Sequence, residues 1–219
     1  MVPPLGRYRS RIVDRTYLAV RIDETTMPSI TVVGICGSLR DESYTRLALE
    51  RALEEADRGA VETELLDLRE WELPIYDPDV PEGEAGEAVE FAARVREADA
   101  ILLGSPMYHG SYSSPLKTAL DYCGFEEFQD KTVGLLGVAG GSFPVTTLEH
   151  LRSVCRALNA WVIPHQVAIP SARSAFENGQ FVDSGLEERV AVLGERAVTY
   201  ANIEPDPSSF EGEQNVGAR

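Results

Sequence analysis

The stretch SITVVGICGSLRDESYTRLALERAL, residues 29 to 53, passes from an apolar segment through a polar loop into a helix-like pattern. Residues 29 to 36 are mostly apolar, as is typical of a strand buried on both faces of a parallel sheet. After the loop, apolar residues recur at helical spacing, at Ala48, Leu49, Ala52, Leu53 and Ala56. The stretch therefore predicts a strand, a polar loop and a helix that packs back against the sheet.

The same alternation continues along the chain. Strand-like segments occupy residues 61 to 68, 98 to 104, 132 to 139 and 161 to 169, and helix-like patterns occupy 86 to 98, 113 to 123, 143 to 158 and 184 to 202. Strands that alternate with helices predict an α/β fold, a doubly wound parallel sheet of five strands with helices on both faces. Residues 69 to 86, rich in proline, acid and glycine, are interpreted as an exposed loop, either a linker or a lid or subunit contact.

We expect one domain, residues 27 to 203, between two disordered ends. The extension, residues 1 to 26, contains five arginines and no long apolar core, so it is interpreted as disordered or, alternatively, as a docking arm. The acidic tail, residues 204 to 219, is rich in proline, serine and glutamate, which is typical of disorder.

The charge balance limits the partners. Acidic residues outnumber basic ones 36 to 20, for a formal net charge of -16. Such a chain repels nucleic acid and anionic membranes, so we expect small-molecule partners instead. Only Lys117 and Lys131 among the basic residues are lysine, and acidic residues are spread along the whole chain. This pattern suggests a halophilic surface that high salt would screen.

Cysteine usage predicts neither a metal site nor a disulfide framework. Cys36, Cys123 and Cys155 are far apart and form no C-x-x-C pair. No stretch approaches the roughly 20 apolar residues needed to span a bilayer. We therefore expect a cytoplasmic protein without a resident metal.

The loops after the first, third and fourth strands are the places to look for a site, since doubly wound sheets bind ligands beyond the carboxyl ends of their strands. In the first loop, Gly37 permits a sharp turn. Ser38, Ser43 and Thr45 can each donate a hydroxyl hydrogen bond close to a helix N-terminus. Arg40 adds a charge-assisted contact. The set suits a phosphate, although Ser43 alone could be a simple helix cap.

The other two loops offer backbone groups, rather than charged side chains, to a ligand. In GSPMYHGSYSSPLKTALDYC, residues 104 to 123, Pro106 and Gly110 predict a turn that presents the backbone of residues 107 to 109 to a flat heterocycle. In VAGGSFP, residues 138 to 144, Gly140 and Gly141 allow close approach of a ligand. A double glycine by itself is equally consistent with a tight strand-to-helix turn.

Together the three loops resemble the NAD(P)H-dependent FMN reductase family, a branch of the flavodoxin-like superfamily. The motifs G-S-L-R-x-x-S-x-T, S-P-x-Y-H-G-S with LKTALD after it, and the G-G loop followed by LRSVCRALNAWVIP match in order and spacing over about residues 29 to 170. The resemblance implies a flavodoxin-like three-layer sandwich with strand order 2-1-3-4-5 and a non-covalently bound FMN. It further implies NADPH or NADH as co-substrate and a homodimer or homotetramer.

The resemblance also implies roles for individual residues. The FMN phosphate would be held by Ser38, Arg40, Ser43 and Thr45. The isoalloxazine would be bordered by Pro106, Met107, Tyr108, His109, Gly110 and Ser111, and on its other edge by Gly140, Gly141 and Ser142. Hydride would pass from the nicotinamide to the flavin with no side-chain nucleophile, so we assign no catalytic residue, and His109 and Tyr108 are only the nearest candidates for a proton donor. Backbone amides of residues 140 to 142 would stabilise the negative charge of the reduced ring.

Three departures from the family leave the electron acceptor open. Many relatives carry glutamate in place of Met107, asparagine in place of Thr118 and tryptophan in place of Tyr122. A free flavin, a quinone, an azo compound and a metal oxyanion all remain candidate acceptors. The alternative function is a flavodoxin-like electron carrier without direct NAD(P)H reactivity, although the threonine-rich phosphate loop common in such carriers is absent.

Overall fold

The computed structural model describes residues 29 to 58 and 61 to 201. The predicted N-terminal extension, residues 1 to 26, and the predicted acidic tail, residues 204 to 219, lie outside the described residues. The described part includes all five predicted strands and the loops that follow the first, third and fourth of them.

The described residues form a five-stranded parallel sheet in the order β2-β1-β3-β4-β5. This is the predicted order. The strands are β1 (Ile30–Cys36), β2 (Val61–Asp67), β3 (Ala100–Pro106), β4 (Thr132–Val138) and β5 (Trp161–Ile169). β1, β3 and β4 are apolar runs buried almost throughout, because helices cover both of their faces.

Helices cover both faces of the sheet, which confirms the predicted three-layer sandwich. The helices are α1 (Tyr44–Ala56), α2 (Glu87–Glu97), α3 (Ser114–Asp121), α4 (Phe125–Phe128), α5 (Val145–Ala157), α6 (Ala172–Ala175) and α7 (Ser184–Thr199). α1 and α7 share one hydrophobic core with the sheet. The apolar stripes of α2, α3 and α5, together with Phe128 of α4, fill the core on the opposite face.

Some predicted boundaries were wrong. The strand predicted at residues 98 to 104 lies at Ala100–Pro106, because Ala98 ends α2 and the Asp99 carboxylate accepts a hydrogen bond from the Thr31 amide. The last helix ends at Thr199 rather than at residue 202. α4 and α6 were not predicted, because four residues are too few to display helical periodicity. The loop of residues 69 to 86 contains a 3₁₀ turn, Glu82–Glu84. A short hairpin, β6 (Phe176–Glu177) and β7 (Gln180–Phe181), precedes the last helix.

Because all five strands are parallel, their carboxyl ends lie at one edge of the sheet. The strand order reverses between β1 and β3, so the loops that follow these two strands leave the sheet in opposite directions. Below, the first loop is residues 37 to 43, the second is 107 to 113 and the third is 139 to 144. Two backbone hydrogen bonds join neighbouring strand ends, from Gly37 N to Gly104 O at 2.8 Å and from Met107 N to Val138 O at 2.7 Å.

Candidate functional site

The first loop places three buried hydroxyls at the start of α1. Ser38, Ser43 and Thr45 are only 3%, 2% and 2% exposed. Ser43 is the N-cap, and its Oγ accepts a hydrogen bond from the Arg46 amide at 3.1 Å. A serine oxygen that accepts such a bond still has its own O–H to donate. Capping and phosphate binding are therefore compatible roles for Ser43.

The N-terminus of α1 also offers backbone donors. Leu47 is bonded to the Ser43 carbonyl at 3.1 Å, the first regular hydrogen bond of the helix. The amides of Tyr44 and Thr45 have no acceptor within residues 29 to 58 and 61 to 201. Free amides and the positive end of the helix dipole favour an anion at this position.

Two arginines near the first loop have different surroundings. Arg46 donates to the Asp41 carbonyl at 2.9 Å and lies 3.6 Å from the Asp67 carboxylate at the end of β2. Arg69 forms a further ion pair with Asp41. Arg40 is exposed, and its guanidinium has no acidic partner in the described part of the chain. Arg46 therefore anchors the loop, whereas Arg40 is available to a ligand.

The second loop contains a two-residue turn. His109 and Gly110 have φ values of 51° and 82°, and Tyr108 and Ser111 exchange backbone hydrogen bonds of 3.0 and 3.1 Å. Positive φ at both central positions is characteristic of the tight turns of β-hairpins, and glycine at the second position meets this requirement without strain. The predicted turn is therefore present, centred on His109 and Gly110 rather than on Pro106, the last residue of β3.

This turn leaves fewer free amides than the sequence suggested. The Met107 amide donates to Val138, and the Tyr108 amide donates to Ser111. The amides of His109 and Gly110 have no acceptor among the described residues. Of the three residues whose backbone we expected to face a ligand, only His109 keeps a free amide.

The third loop offers unobstructed backbone. A Cβ added to Gly140 or Gly141 would meet no atom within 4 Å. The Gly141 carbonyl accepts a hydrogen bond from the Ser171 amide at 2.8 Å, which holds the loop in place. The amides of residues 140 to 142 have no acceptor in the described ranges. Packing among the described residues does not require these two glycines, so close approach by a ligand is the better explanation for them.

Two buried serines that sequence analysis did not single out connect the first two loops. Ser113 Oγ donates to the Gly37 carbonyl at 2.6 Å, and the Ser113 amide donates to Ser105 Oγ at 2.9 Å. A Cβ on Gly37 would lie 2.8 Å from Ser113 Oγ, so the close contact requires glycine. The serine-rich composition of residues 105 to 114 was the only signal, and it specifies no partners. The two loops therefore form one hydrogen-bonded unit.

The chemistry of the cysteines matches the expectation that they are structural. All three are buried and free. Burial raises the pKa of Cys36 to about 11 and that of Cys155 to about 12, and it also raises the pKa of Cys123. Neutral thiols are poor nucleophiles and poor metal ligands.

Other kinds of site have no support in the described ranges. No group of three or more histidine, cysteine or acidic side chains there is arranged to hold a metal ion. No helix there combines the length and apolar character needed to cross a membrane. An open pocket of about 490 Å³ lies between residues 72 to 74 and residues 84 to 86, and no residue of the three loops lines it.

Comparison with known proteins identifies the family to which this chain belongs. The family model described as "NADPH-dependent FMN reductase" matches residues 30 to 174, about two thirds of the chain. The chain belongs to this family. Its reaction class is therefore the reduction of FMN by NAD(P)H, as the three loop motifs had indicated.

Relatives and solved structures agree with this assignment. The FMN-dependent NADPH-azoreductase of Staphylococcus aureus is 32% identical over 179 residues, which is 78% of this chain and 95% of the relative. An oxidoreductase from Corynebacterium diphtheriae has a TM-score of 0.67 at 16% identity, over 82% of this chain and all of that one. FerB, an NAD(P)H:(acceptor) oxidoreductase from Paracoccus denitrificans, has a TM-score of 0.63 at 21% identity, over 78% of this chain and 97% of its own. At these identities the solved structures support the flavodoxin-like fold alone.

The residues present fit FMN. A phosphate monoester requires several convergent donors, and the first loop and the start of α1 supply buried hydroxyls, free helix amides and Arg40. A flat ring requires accessible backbone on its edges, which the turn of the second loop and the open glycines of the third loop provide.

Proposed function

We propose that the chain transfers hydride from NAD(P)H to bound FMN and passes the electrons to a small acceptor. One observation carries this proposal: hydrogen bonds join the first and second loops, next to the buried hydroxyl residues of the first loop and of α1. One phosphate-binding loop beside two backbone-lined loops suits a mononucleotide with a flat ring.

In this proposal each loop binds a different part of the cofactor. The first loop holds the phosphate through Ser38, Arg40, Ser43 and Thr45. Residues 106 to 111 border one edge of the ring, and residues 140 to 142 border the other. The amides of residues 140 to 142, which have no acceptor in the described part, stabilise the charge that develops on that edge.

When bound, FMN supplies the hydride-accepting and electron-donating chemistry. The chain contributes binding and alignment, since a hydride moves only between rings held in close register. Tyr108, with a 52% exposed side chain, and His109 lie at the solvent-facing turn. A proton supplied by the protein would come from one of these two side chains.

The proposed electron acceptor is a small molecule. The 32% identical relative is named for azo reduction, so azo compounds are the first acceptors to test. Free flavins, quinones and metal oxyanions follow. The net charge of -16 disfavours anionic acceptors at low ionic strength because it repels them during approach.

Anaerobic reduction tests the reductase function directly. The FMN-loaded chain is titrated with NADH and NADPH while flavin absorbance is followed, and acceptors are then added to the reduced protein. We expect at least one nucleotide to bleach the flavin and at least one acceptor to restore its colour. A flavin that binds tightly but is reduced by neither nucleotide would reject the reductase function in favour of an electron carrier.

We further propose a single domain over residues 27 to 203, a homodimer or homotetramer, a cytoplasmic location and a salt-adapted surface. The oligomer follows from the family resemblance, and light scattering would determine it. The free, buried cysteines suit a reducing compartment. The acidic surface suits high ionic strength.

A further inference from the structure

The turn at residues 108 to 111 projects from the end of β3 and is closed only by its own two backbone hydrogen bonds. A two-residue turn fixes its internal geometry but not its orientation towards the rest of the molecule. The Met107 amide, bonded to Val138, and the bonds of Ser113 anchor the chain at the two ends of this segment, and α5 makes further side-chain contacts with it.

Two side chains of α5 contact the residues on either side of the turn. His150 Nδ1 lies 3.0 Å from Ser111 Oγ, and Thr146 Oγ1 donates to Met107 Sδ at 3.4 Å. Thr146 and His150 are four residues apart, so they lie on the same face of the helix. The helix thus holds the chain just before the turn and just after it.

The two contacts differ in strength. A thioether sulfur is a weak acceptor, so the Thr146 contact adds little directional restraint. An imidazole nitrogen and a hydroxyl form an ordinary hydrogen bond. Nδ1 accepts the Ser111 hydroxyl proton in the Nε2-protonated tautomer and donates to Ser111 Oγ in the other tautomer or when the ring is charged. In each case the bond restrains the Ser111 side chain, and in the Nε2-protonated tautomer it also sets the direction of the Ser111 hydroxyl proton.

We propose that His150 is a positioning residue for the flavin-binding turn and that it acts through Ser111. It joins α5, which follows the third loop, to the turn of the second loop, and so sets the spacing between the two edges of the ring site. This inference rests on the proposed function, because that function places residues 106 to 111 and 140 to 142 at the ring. The His150 side chain is exposed, and removing it leaves the hydrophobic core intact.

Matched variants test this role. His150→Leu removes the hydrogen bond, whereas His150→Asn places an amide oxygen or nitrogen the same number of bonds from Cα as Nδ1. His165→Leu is the control, because His165 bonds to the Arg189 carbonyl, away from the turn. Circular dichroism and thermal unfolding establish that each variant folds.

The first measurement needs no cofactor. Amide hydrogen exchange at Tyr108 and Ser111 reports the two bonds that close the turn. We expect faster exchange at both amides in His150→Leu, near wild-type exchange in His150→Asn, and no change in His165→Leu. Unchanged exchange in His150→Leu, or equally fast exchange in His150→Leu and His150→Asn, would overturn the proposal.

The second measurement uses FMN. We expect the Kd for FMN to rise about fivefold in His150→Leu, as the loss of one neutral hydrogen bond implies, with a shifted visible flavin spectrum and recovery of both in His150→Asn. An unaltered spectrum and Kd in His150→Leu would reject a role at the ring. If the wild-type chain bound no FMN, the proposed function would fail, whereas the exchange experiment would still decide whether His150 holds the turn.

Discussion

At the scale of single residues, the phosphate-binding loop combines structural and binding roles in the same side chains. Ser43 caps α1 by accepting a hydrogen bond from the Arg46 amide, and we propose that its hydroxyl also contacts the phosphate. Arg46 and Arg40 have different roles. Arg46 anchors the loop through Asp41 and Asp67, whereas Arg40 has no acidic partner in the described part of the chain and is available to a ligand. The loop therefore has a defined shape before any ligand binds, which reduces the entropic cost of binding.

Replacing Arg40 tests its assignment to the phosphate. Arg40→Ala should weaken FMN binding by about 1.5 to 3 kcal/mol, because it removes a charge-assisted hydrogen bond, and so raise the Kd roughly 10- to 150-fold. Fluorescence titration of FMN measures the change. Arg58→Ala is the control, since Arg58 pairs with Glu55 at the opposite end of α1. An equal loss of affinity in both variants would indicate a general charge effect and contradict the assignment.

Lys131 gives a pH-dependent prediction far from the site. Its ammonium donates to the carbonyls of Val95 and Arg96 at the end of α2, at 2.9 and 2.6 Å. Burial lowers its pKa from 10.5 to about 8, despite the nearby carboxylates of Glu127 and Asp99. Between these two pH values the unfolded chain holds a proton that the folded chain has released. The contribution of Lys131 to the free energy of unfolding therefore rises with pH from about 8 to about 10.5.

Lys131→Met should remove this contribution. Urea unfolding of the wild type and the variant should give a stability difference that grows in favour of the wild type across that pH window. Other groups also titrate there, so the difference between the two proteins is the relevant quantity. Lys117→Met, which alters the exposed lysine paired with Asp121, is the control for the loss of a lysine side chain. A difference independent of pH would show that the pKa of Lys131 is not depressed.

At the scale of secondary-structure elements, the contact between α1 and α7 depends on one glycine. A Cβ on Gly194 would overlap the Ala52 carbonyl oxygen and lie 2.8 Å from its carbonyl carbon. Backbone atoms cannot rotate away as a side chain can, so the two helices would have to separate. Both helices belong to the core on their face of the sheet, so the disturbance would spread through that layer.

Gly194→Ala should therefore destabilise the fold by roughly 1 to 3 kcal/mol, despite the higher helix propensity of alanine. Gly185→Ala in the first turn of the same helix is the matched control, because its Cβ would meet only the Asp183 carboxylate, at 3.2 Å. Denaturant unfolding of the two variants separates close packing from propensity. Equal stabilities for the two variants would contradict the proposed helix contact.

At the scale of the whole molecule, a net charge of -16 on 219 residues produces strong self-repulsion at low ionic strength. Ion pairs such as those of Arg51 with Glu55 and Glu187 offset part of it locally. Surface ion pairs typically contribute at most about 1 kcal/mol each, so we expect screening by salt to be the larger effect.

The proposed salt adaptation predicts that the melting temperature rises markedly between about 0.1 M and about 2 M KCl, where the screening length falls to a few ångströms. A variant with the exposed Glu54, Glu149 and Glu188 changed to glutamine carries less charge and should gain less from salt. Thermal unfolding measures both responses. Equal stability of the wild type at the two salt concentrations would reject the halophilic interpretation.

The alternation of apolar and amphipathic segments by itself predicted the five strands and the helical layers, the family resemblance implied the strand order, and the loop motifs indicated the proposed location of the site. The apolar runs of β1, β3 and β4 and the apolar stripe of α1 are local patterns, because each element repeats with its own period. The loop motifs are also local, since each lies directly after one of these strands.

Only the tertiary structure decided which groups meet. The bond between Ser113 and Gly37 spans 76 residues and that between Ser111 and His150 spans 39. No local spacing encodes such pairs, because a hydrogen bond forms only when folding brings donor and acceptor to within a few tenths of an ångström of the required distance. For the same reason the sequence did not reveal that the amides of Met107 and Tyr108 are already bonded within the protein, while those of His109 and Gly110 remain available to a ligand.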